Sequence, residues 1–173
     1  MRKMEMFFDY ACPYCLAGHE QLKELLPKYP DIEVIWRPCE AHPRPEVYGV
    51  YSDLCIEGLL YVFEHGGDVW AYHEAMYKAA CKDKANIEDP EVIAKYAADI
   101  VDPAKLLDAI RNKVYSEAVL KCNDYAFEEN DVWYIPAYRM DGEQGSPDKK
   151  KKLDSVGGVG VMKEQLDAFM SGN

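Results

Sequence analysis

Hydrophobic and polar positions along the chain first form a strand, a helix and a second strand. Met4–Phe8 is a short apolar run that suits a strand. Pro13 suits the first turn of the next helix, because that position needs no backbone N–H, and Pro27 ends this helix. Ile32–Arg37 then alternates apolar and polar residues, as a second strand does. The pattern therefore predicts a β-α-β unit at the start of the chain.

The middle of the chain has the periodicity of helices. Apolar residues recur at i, i+3, i+4 and i+7 from Ile56 to Phe63, and the Gly66-Gly67 pair ends that helix. Asp89-Pro90 and Asp102-Pro103 each place a capping acid before a proline at the first helical position. Two further helices are predicted within residues 69–80 and 116–129.

Strand character returns near the end of the chain. Ile135–Met140 suits a strand, and Asp141-Gly142 is a strong turn signal. A less regular strand is expected around Leu153–Val156, followed by an amphipathic helix over Val161–Met170. The C-terminal part is therefore predicted to contribute two strands and a helix.

The two β-containing parts are each too small to bury a sheet alone. We therefore expect them to share one mixed sheet, with the helices inserted between them. On this interpretation residues 1–44 and 126–173 form one discontinuous α/β domain, and residues 45–125 form an α-helical insertion. The length of 173 residues suits one domain that carries such an insertion.

Composition and charge exclude two classes of partner. The net charge is −11, which argues against a nucleic-acid partner because phosphates would be repelled. The one basic run, Lys149–Lys152, is interpreted as a solvated turn. No apolar run approaches the roughly 18–20 residues that span a membrane. The N-terminal residues lead directly into predicted structure without a secretory signal, so a cytoplasmic protein is expected.

The chemistry of the sequence centres on Cys12 and Cys15, which two residues separate. Cys12 lies at a predicted helix start, where unpaired N–H groups and the helix dipole favour thiolate over thiol. Cys15 follows one turn later, so Cys12 could attack a disulfide and Cys15 could resolve the mixed disulfide. The remaining cysteines have no repeated spacing and are predicted to be buried free thiols: Cys39, Cys55, Cys81 and Cys122.

More than one interpretation of this segment stays open. Cys12, Cys15 and His19 could be zinc ligands, but no fourth ligand is evident, and so no metal is expected. The cysteines could also form a purely structural pair, or Cys12 could hold an iron–sulfur cluster bridged between two chains. Asp9 either modulates the thiolate or binds backbone N–H groups. His19 is either a base for Cys12 or a packed helix residue.

The segment FFDYACPYCLAG resembles the active-site segment of the thioredoxin superfamily, in particular the DsbA-like branch that includes FrnE-type proteins. IEVIWRPCEAHP resembles the end of a strand in that branch, although Cys39 replaces an aromatic residue. WYIPAYRMDG resembles the strand whose cis-proline faces the active-site cysteines. The resemblance covers most of the chain and is weakest at Lys149–Gly160.

The resemblance implies a thioredoxin-like fold and thiol–disulfide oxidoreduction on protein or low-molecular-weight thiols. Cys12 would be the nucleophile and Cys15 the resolving thiol. Substrate would be held by Pro13 and Tyr14 and by the backbone at Ile135 and the cis-proline Pro136. No organic cofactor is implied, with glutathione a candidate redox partner, and the chain would be a monomer or a homodimer.

Two further functions also fit the sequence. Related glutathione-dependent isomerases and kappa-class transferases carry serine at the first position of the motif, where this chain has Cys12. A non-catalytic binding protein could also keep the fold and use the groove for a partner. Turnover of a model disulfide separates these functions from thiol–disulfide exchange.

Overall fold

The computed structural model describes residues 1–141, 150–157 and 159–172. Its strands and helices follow in the order β1 (Arg2–Phe8), α1 (Pro13–Leu25), β2 (Ile32–Pro38), α2 (Asp53–His65), α3 (Val69–Tyr77), α4 (Pro90–Tyr96), α5 (Pro103–Arg111), α6 (Ser116–Asp124), β3 (Ala137–Met140), β4 (Lys151–Asp154) and α7 (Lys163–Ser171). A 3₁₀ turn (Leu26–Lys28) and two π-helical turns (Lys78–Lys82 and Tyr125–Glu129) extend α1, α3 and α6. None of these helices is long and apolar enough to cross a membrane.

The four strands form one mixed sheet in the order β2-β1-β3-β4. Strand β1 runs parallel to β2 and antiparallel to β3, so Met6 lies between Trp36 and Tyr138. Strand β4 pairs antiparallel with β3 at the edge. The sequence prediction of one sheet built from both ends of the chain is thus confirmed.

The predicted helix boundaries rest on capping residues that the structure also contains. Asp89 accepts a hydrogen bond from the backbone N–H of Glu91, and Asp102 accepts bonds from two N–H groups at the start of α5. Gly66 ends α2 in the left-handed conformation, with φ of 77°. The bonds to Asp89 and Asp102 satisfy N–H groups at the helix starts that have no partner inside the helix.

The last two strands differ from their predicted bounds. Strand β3 begins at Ala137 rather than Ile135, because pairing with β1 starts at Ala137 and Pro136 has no N–H to donate. Strand β4 covers Lys151–Asp154 rather than Leu153–Val156. The predicted turn at Asp141-Gly142 extends into residues 142–149, which lie outside the described residues.

The basic run is not the solvated turn that the sequence predicts. Lys151 and Lys152 belong to β4, where they pair with Met140 and Arg139 of β3. Lys150 is half-buried and donates to the carboxylate of Glu5 at 2.6 Å. Lys149 lies outside the described residues. Backbone pairing with β3 therefore makes part of this run an edge strand, although both lysines of the strand are exposed.

Apolar side chains from the sheet, from α1 and from the helices of the middle region join in one core. Members from each part include Met6, Leu22, Leu59, Leu106 and Leu166, all of which are fully buried. The helical region therefore packs on the same core as the sheet. The proposed domain boundaries at residues 45 and 125 stay a prediction.

A buried carboxylate ties several segments together away from this core. Glu5 in β1 accepts hydrogen bonds from Arg37 of β2, from Tyr125 after α6 and from Lys150 before β4. Burial alone would raise the pKa of Glu5, but these three hydrogen bonds lower it below its ordinary value. Glu5 is thus a buried charged group that partly exposed partners neutralise.

Candidate active site

The first turn of α1 places Cys12 at a junction between a strand and a helix. Strand β1 ends at Phe8, a short turn follows, and Cys12 is the residue that precedes the helix. Its backbone is extended, its carbonyl accepts the N–H groups of Cys15 and Leu16, and Pro13 occupies the first helical position. The thiol is partly exposed. Cys12 therefore combines access to solvent with the N–H groups of a helix start.

The surroundings of Cys12 favour its thiolate. The hydrogen bond from the Cys15 thiol is the largest cause that lowers the pKa of Cys12, and the backbone N–H groups of Cys15 and Tyr14 lower it further. Partial burial and the negative charge of Asp9 act in the opposite direction. The net result is a pKa below the ordinary value, as a reactive thiol requires.

Cys15 has the opposite environment one turn along the helix. Its side chain is fully buried. Burial raises the pKa of Cys15 well above its ordinary value, and the hydrogen bond with Cys12 and the charge of Cys12 raise it further. In the reduced protein Cys15 is therefore a thiol that donates to Cys12.

The segment before β3 lies against Cys12. The peptide bond between Ile135 and Pro136 is cis, as the sequence predicts. The Ile135 carbonyl oxygen is 3.9 Å from Sγ of Cys12, and Ser155 donates to the carbonyl of Pro136 at 2.6 Å. Pro136 is buried and Ile135 is half-buried. This backbone is thus fixed beside the thiol, although Cys12 and Ile135 are 123 positions apart in the sequence.

Close packing between α1 and β3 brings these two segments together. A Cβ atom at Gly18 would lie 2.6 Å from the hydroxyl of Tyr138 and 3.5 Å from Cγ of Pro136. Only glycine at this position of α1 lets the helix approach the strand so closely. Gly18 follows the cysteine motif in the sequence, where a small residue gives no direct signal of this contact.

Exposed apolar side chains, three of them aromatic, lie on the segments next to Cys12, before Pro136 and after β4; we define the aromatic rim as Tyr14, Trp133, Tyr134, Val156 and Val159. All five side chains are exposed, and Trp133 reaches 81%. Tyr14 packs closely on the backbone at Gly160, where an added Cβ atom would lie 3.0 Å from the ring. Pro13 is also exposed. The rim is an apolar surface of the kind that binds polypeptide.

Asp9 is buried and bonded to the backbone on two sides of the site. Its carboxylate accepts the N–H groups of Ala11 at 2.8 Å and of Ala41 at 2.7 Å. Burial raises the pKa of Asp9 above its ordinary value, although these two hydrogen bonds oppose the shift. The geometry agrees with the prediction that Asp9 binds backbone N–H groups. The same carboxylate also acts electrostatically on Cys12, whose pKa it raises.

His19 lies one helical turn beyond Cys15 and packs among aromatic rings. Its ring is buried, with centroids 5.2 Å from Trp70, 5.4 Å from Tyr77 and 5.7 Å from His73. Burial lowers the pKa of His19. Neither ring nitrogen has a partner within hydrogen-bond distance in the described part of the chain, and the carboxylate of Glu74 lies 3.9 Å from Nε2. The geometry thus favours a packed helix residue at His19 over a base for Cys12.

Two tyrosines near Cys15 belong to the site, although the sequence analysis does not assign them to it. Tyr77 and Tyr138 are buried, and the charge of Cys15 raises the pKa of each after the larger effect of burial. Tyr138 lies two residues beyond Pro136, so the alternation of β3 could have placed it on the same face. Tyr77 comes from α3, and no local signal relates it to the cysteines.

The remaining four cysteines are free thiols in the structure, but the prediction that all four are buried is wrong for Cys81 and Cys122. Cys81 lies on the π-helical turn after α3 and donates to the carbonyl of Tyr10 at 3.3 Å. Cys122 on α6 is partly exposed because it borders a surface groove. No group of three or more metal-ligating side chains is found in residues 1–141, 150–157 and 159–172.

Comparison with known proteins places the chain in one family. The family model described as DSBA-like thioredoxin domain matches residues 3–154. A comparison with curated protein sequences finds no match. The matched residues include the cysteine pair, the cis-proline segment and all the helices between them.

Solved structures resemble the whole chain. A probable DsbA oxidoreductase from Streptomyces coelicolor has a TM-score of 0.75 and 15% identity, covering 100% of this chain and 91% of its own. The cytosolic disulfide reductase DsbM from Pseudomonas aeruginosa has a TM-score of 0.72 and 12% identity, covering 98% and 97%. DsbA from Chlamydia trachomatis has a TM-score of 0.71 and 18% identity, covering 99% and 85%.

Proposed function

The chain belongs to the DsbA-like thioredoxin domain family of thiol–disulfide oxidoreductases, and on that premise we propose that Cys12 and Cys15 exchange disulfides with polypeptide substrates. One observation carries the proposal. Cys12 is a partly exposed thiol at a helix start, its pKa is lowered, and a backbone carbonyl beside a cis-proline faces it. Such an arrangement supplies a nucleophile together with a place for extended substrate.

In the reducing direction, the Cys12 thiolate attacks one sulfur of the substrate disulfide. The new S–S bond joins Cys12 to the substrate, and the other substrate sulfur leaves as a thiolate that takes a proton from water. Cys12 then carries no charge, so one cause of the raised pKa of Cys15 disappears. Cys15 can lose its proton to solvent and attack Cys12, which releases the second substrate thiol. Two electrons pass from the pair to the substrate, and the reverse sequence oxidises a dithiol.

Backbone groups near Cys12 support the binding of an extended substrate strand. The Ile135 carbonyl faces the thiol, and β3 continues from Ala137 into the sheet. A substrate segment that pairs with the backbone at Ile135 would hold its sulfur beside Cys12. In this proposal the side chains of Ile135 and Pro136 shape the groove, and Pro13 and Tyr14 contact the substrate from α1.

The aromatic rim supports polypeptide rather than a small disulfide as the main substrate. Unfolded polypeptide offers apolar side chains on either side of a cysteine, and the rim would cover them. We therefore expect Trp133→Ser to raise the KM for a reduced or scrambled protein substrate about threefold to tenfold. Turnover of a small aromatic disulfide should change less than twofold. Phe63→Ser, at an exposed apolar position on α2 outside the rim, is the matched control.

A reducing compartment such as the cytoplasm, with glutathione as a redox partner, completes the proposal. Four cysteines besides the pair are free thiols, which suits a compartment where disulfides are rare. One similar structure is described as a cytosolic disulfide reductase. The equilibrium potential of the Cys12–Cys15 pair against glutathione tests this part, since a strongly oxidising potential would argue for another compartment.

The decisive experiment compares turnover by the full chain and by two serine variants. Wild-type protein should reduce insulin disulfides in the presence of glutathione, and Cys12→Ser should abolish this activity. Cys15→Ser should accumulate a mixed disulfide with substrate at Cys12, because the resolving thiol is absent. Cys122→Ser, which removes a partly exposed thiol outside the site, should retain full turnover.

Two results would refute the proposal. Undiminished turnover by a folded Cys12→Ser variant would show that another thiol does the chemistry. A Cys15→Ser variant that forms its mixed disulfide through Cys81 or Cys122 would exclude Cys12 as the attacking thiol.

A further inference from the structure

A second concave site, the acidic cleft, is lined by α2, α6 and the loop after β2, and neither Cys12 nor Cys15 lines it. The cleft has a volume of about 310 Å³. Carboxyl groups on its walls come from Glu40 in the loop, from Asp53 and Glu57 of α2 and from Glu117 of α6. A volume of this size suits a small organic group.

One carboxyl group in the acidic cleft is buried without a partner. Glu57 is 3% exposed, and its Oε1 atom has no hydrogen-bond partner among the described residues. Buried polar atoms are nearly always hydrogen-bonded, since desolvation without a partner is costly. Glu57 lines the acidic cleft, so a donor that enters the cleft could supply the partner that its carboxyl group lacks.

The other charged groups of the acidic cleft already have partners. Arg44 donates from Nε to Asp53 at 2.9 Å, and its Nη2 lies 3.4 Å from the same carboxylate. Asn123 donates to Oε2 of Glu40 at 2.8 Å. Glu117 pairs with Lys121 at 3.7 Å. Among the described residues, the donor that the cleft lacks is therefore one for Oε1 of Glu57.

The rest of the wall is apolar. Pro43, Val119 and Leu120 line the cleft beside the carboxyl groups. Leu120 is largely exposed, so its side chain would lose contact with water when a ligand covers it. The cleft thus offers oxygen acceptors to one end of a ligand and hydrocarbon to the other.

From these contacts we infer that the acidic cleft binds a primary alkylammonium group, with the ammonium on Glu57 and the alkyl chain along Val119 and Leu120. An ammonium has three donors and no acceptor, which matches an unpaired carboxyl oxygen next to Glu40. The ligand is a free aliphatic amine or the lysine side chain of a partner protein.

This site is independent of disulfide exchange, although it lies close to the active site in the chain. Glu40 faces the cleft, and the next residue, Ala41, donates its N–H to Asp9. Binding at the cleft is expected whether or not the Cys12–Cys15 pair turns over substrate. Its test therefore uses binding and not activity.

The test is a titration of the ¹⁵N-labelled full chain, followed by the backbone amide signals of Glu57, Val119 and Leu120. n-Butylamine is the free-amine probe, N-acetyl-lysine methylamide represents a lysine side chain, and n-butanol is the uncharged control. We expect saturable shifts with at least one amine and no saturable shift with butanol. Saturation by both amines means that the two sources share the site, and saturation by one identifies the source.

Variants at two acids separate a specific contact from general attraction. Glu57→Gln should weaken amine binding about tenfold or more, since it removes a charge-assisted hydrogen bond. Glu117→Gln removes an exposed charge from the rim of the cleft and should change the affinity less than threefold. Absence of saturation with both amines, equal shifts with butanol or unchanged affinity in folded Glu57→Gln would overturn the inference.

A pH series on the wild-type chain gives a result that does not depend on any variant. Glu57 faces the acids of Glu40 and Asp53, which with burial raise its pKa to about 7, while Lys113 and Arg44 oppose the shift. Glu117 adds a further carboxylate at the opening of the acidic cleft. A bound ammonium favours ionised Glu57, and alkylamines stay charged throughout this range. The affinity should therefore fall severalfold from pH 8 to pH 5.5, and an affinity that stays constant would count against Glu57 as the ligand.

Discussion

The first turn of α1 favours a negatively charged side chain, whereas the acidic cleft disfavours one. At Cys12 the thiol of Cys15 and two backbone N–H groups are directed at the sulfur, and they lower its pKa. At Glu57 burial and two neighbouring acids act on a carboxyl group whose Oε1 has no donor among the described residues, and they raise its pKa to about 7. The surroundings therefore favour the ionised form of the Cys12 thiol, which is ordinarily the weaker acid, and the neutral form of the Glu57 carboxyl group, which is ordinarily the stronger one.

The comparison shows that hydrogen-bond donors oppose the effect of burial on a pKa, and that they outweigh it at Cys12 but not at Asp9. Asp9 and Glu57 are both buried, but Asp9 has two backbone N–H partners, whereas Oε1 of Glu57 is unpaired within the described part of the chain. A helix start supplies such donors without any side chain, whereas Glu57 lies inside α2, where the backbone N–H groups are already used. Four predictions test this contrast, from the largest expected effect to the smallest.

The largest effect should be the difference in reactivity between thiols. In the reduced wild-type chain at pH 7, iodoacetamide should modify Cys12 at least about 100-fold faster than Cys55, since burial raises the pKa of Cys55 and blocks access. Peptide mass spectrometry after short labelling times measures both rates. If Cys55 or Cys122 were modified first, the assignment of Cys12 as the activated thiol would be wrong.

The next effect concerns the stability cost of Glu57. Its pKa is about 7 in the folded chain against an ordinary value of 4.5, so the folded state holds the proton more tightly than the unfolded state. The stability that this group contributes is complete below pH 4.5 and is lost as the pH rises through 7. Glu57→Gln stays neutral and should therefore be more stable than wild type at pH 8, by about 1–3 kcal/mol.

Urea denaturation at pH 8 and at successively lower pH measures this difference, which should shrink toward pH 4.5. Glu117→Gln is the control, because it makes the same substitution at an exposed carboxylate of the same cleft. A Glu57→Gln variant that is no more stable than wild type at pH 8 would mean that Glu57 has a donor in solution.

A smaller effect should follow when the donor from Cys15 is removed. Cys15→Ala deletes the hydrogen bond that lowers the pKa of Cys12 most, so the pKa of Cys12 should rise. The rate of Cys12 alkylation at pH 6 should fall about tenfold, as expected for loss of a hydrogen bond to a charged group. Cys15→Ser, which keeps a hydroxyl donor, is the control and should react nearly as fast as wild type. Equal rates in Cys15→Ala and wild type would leave the backbone N–H groups as the main stabilising partners.

The smallest effect should come from Asp9. Its negative charge raises the pKa of Cys12, so Asp9→Asn should lower that pKa and speed alkylation at pH 6 about twofold to fivefold. The asparagine oxygen can still accept one of the two N–H bonds that Asp9 holds. The pH profile of alkylation, and not a single rate, is the measurement, because a merely structural change would leave the midpoint of the profile in place. A profile shifted to higher pH would show that Asp9 assists the thiolate.

The sequence predicts most of the fold because its signals are local. Pro13, Asp89-Pro90 and Asp102-Pro103 mark helix starts through the chemistry of unpaired N–H groups, and each begins a helix in the structure. The edge strand β4 is the weakest prediction, because exposed lysines hide the alternation that identifies a strand. Membership of the DsbA-like family is shown, while the FrnE-like branch stays a prediction.

The candidate site is predictable where its residues belong to the cysteine motif or to a segment that resembles the family. Cys12, Cys15 and Pro136 are of this kind. Tyr77 and the acidic cleft are not, because their partners meet only when α2, α3 and α6 pack together. The packing of His19 is also not predictable from the sequence, because its neighbours Trp70 and His73 come from α3.

The buried Glu5 has a practical consequence for anyone who builds chimeras within this family. The loop and helices that line the active-site groove and the acidic cleft could be exchanged as one segment, a cassette, from another member. Tyr125 lies at the end of this cassette, and its hydroxyl donates a hydrogen bond to Glu5. Arg37 and Lys150, which flank the cassette in sequence, bind the same carboxylate. A crossover between residues 37 and 150 would take some of these partners from a different parent than Glu5 and could leave its carboxylate buried without them. Glu5, Arg37, Tyr125 and Lys150 should therefore be inherited from one parent.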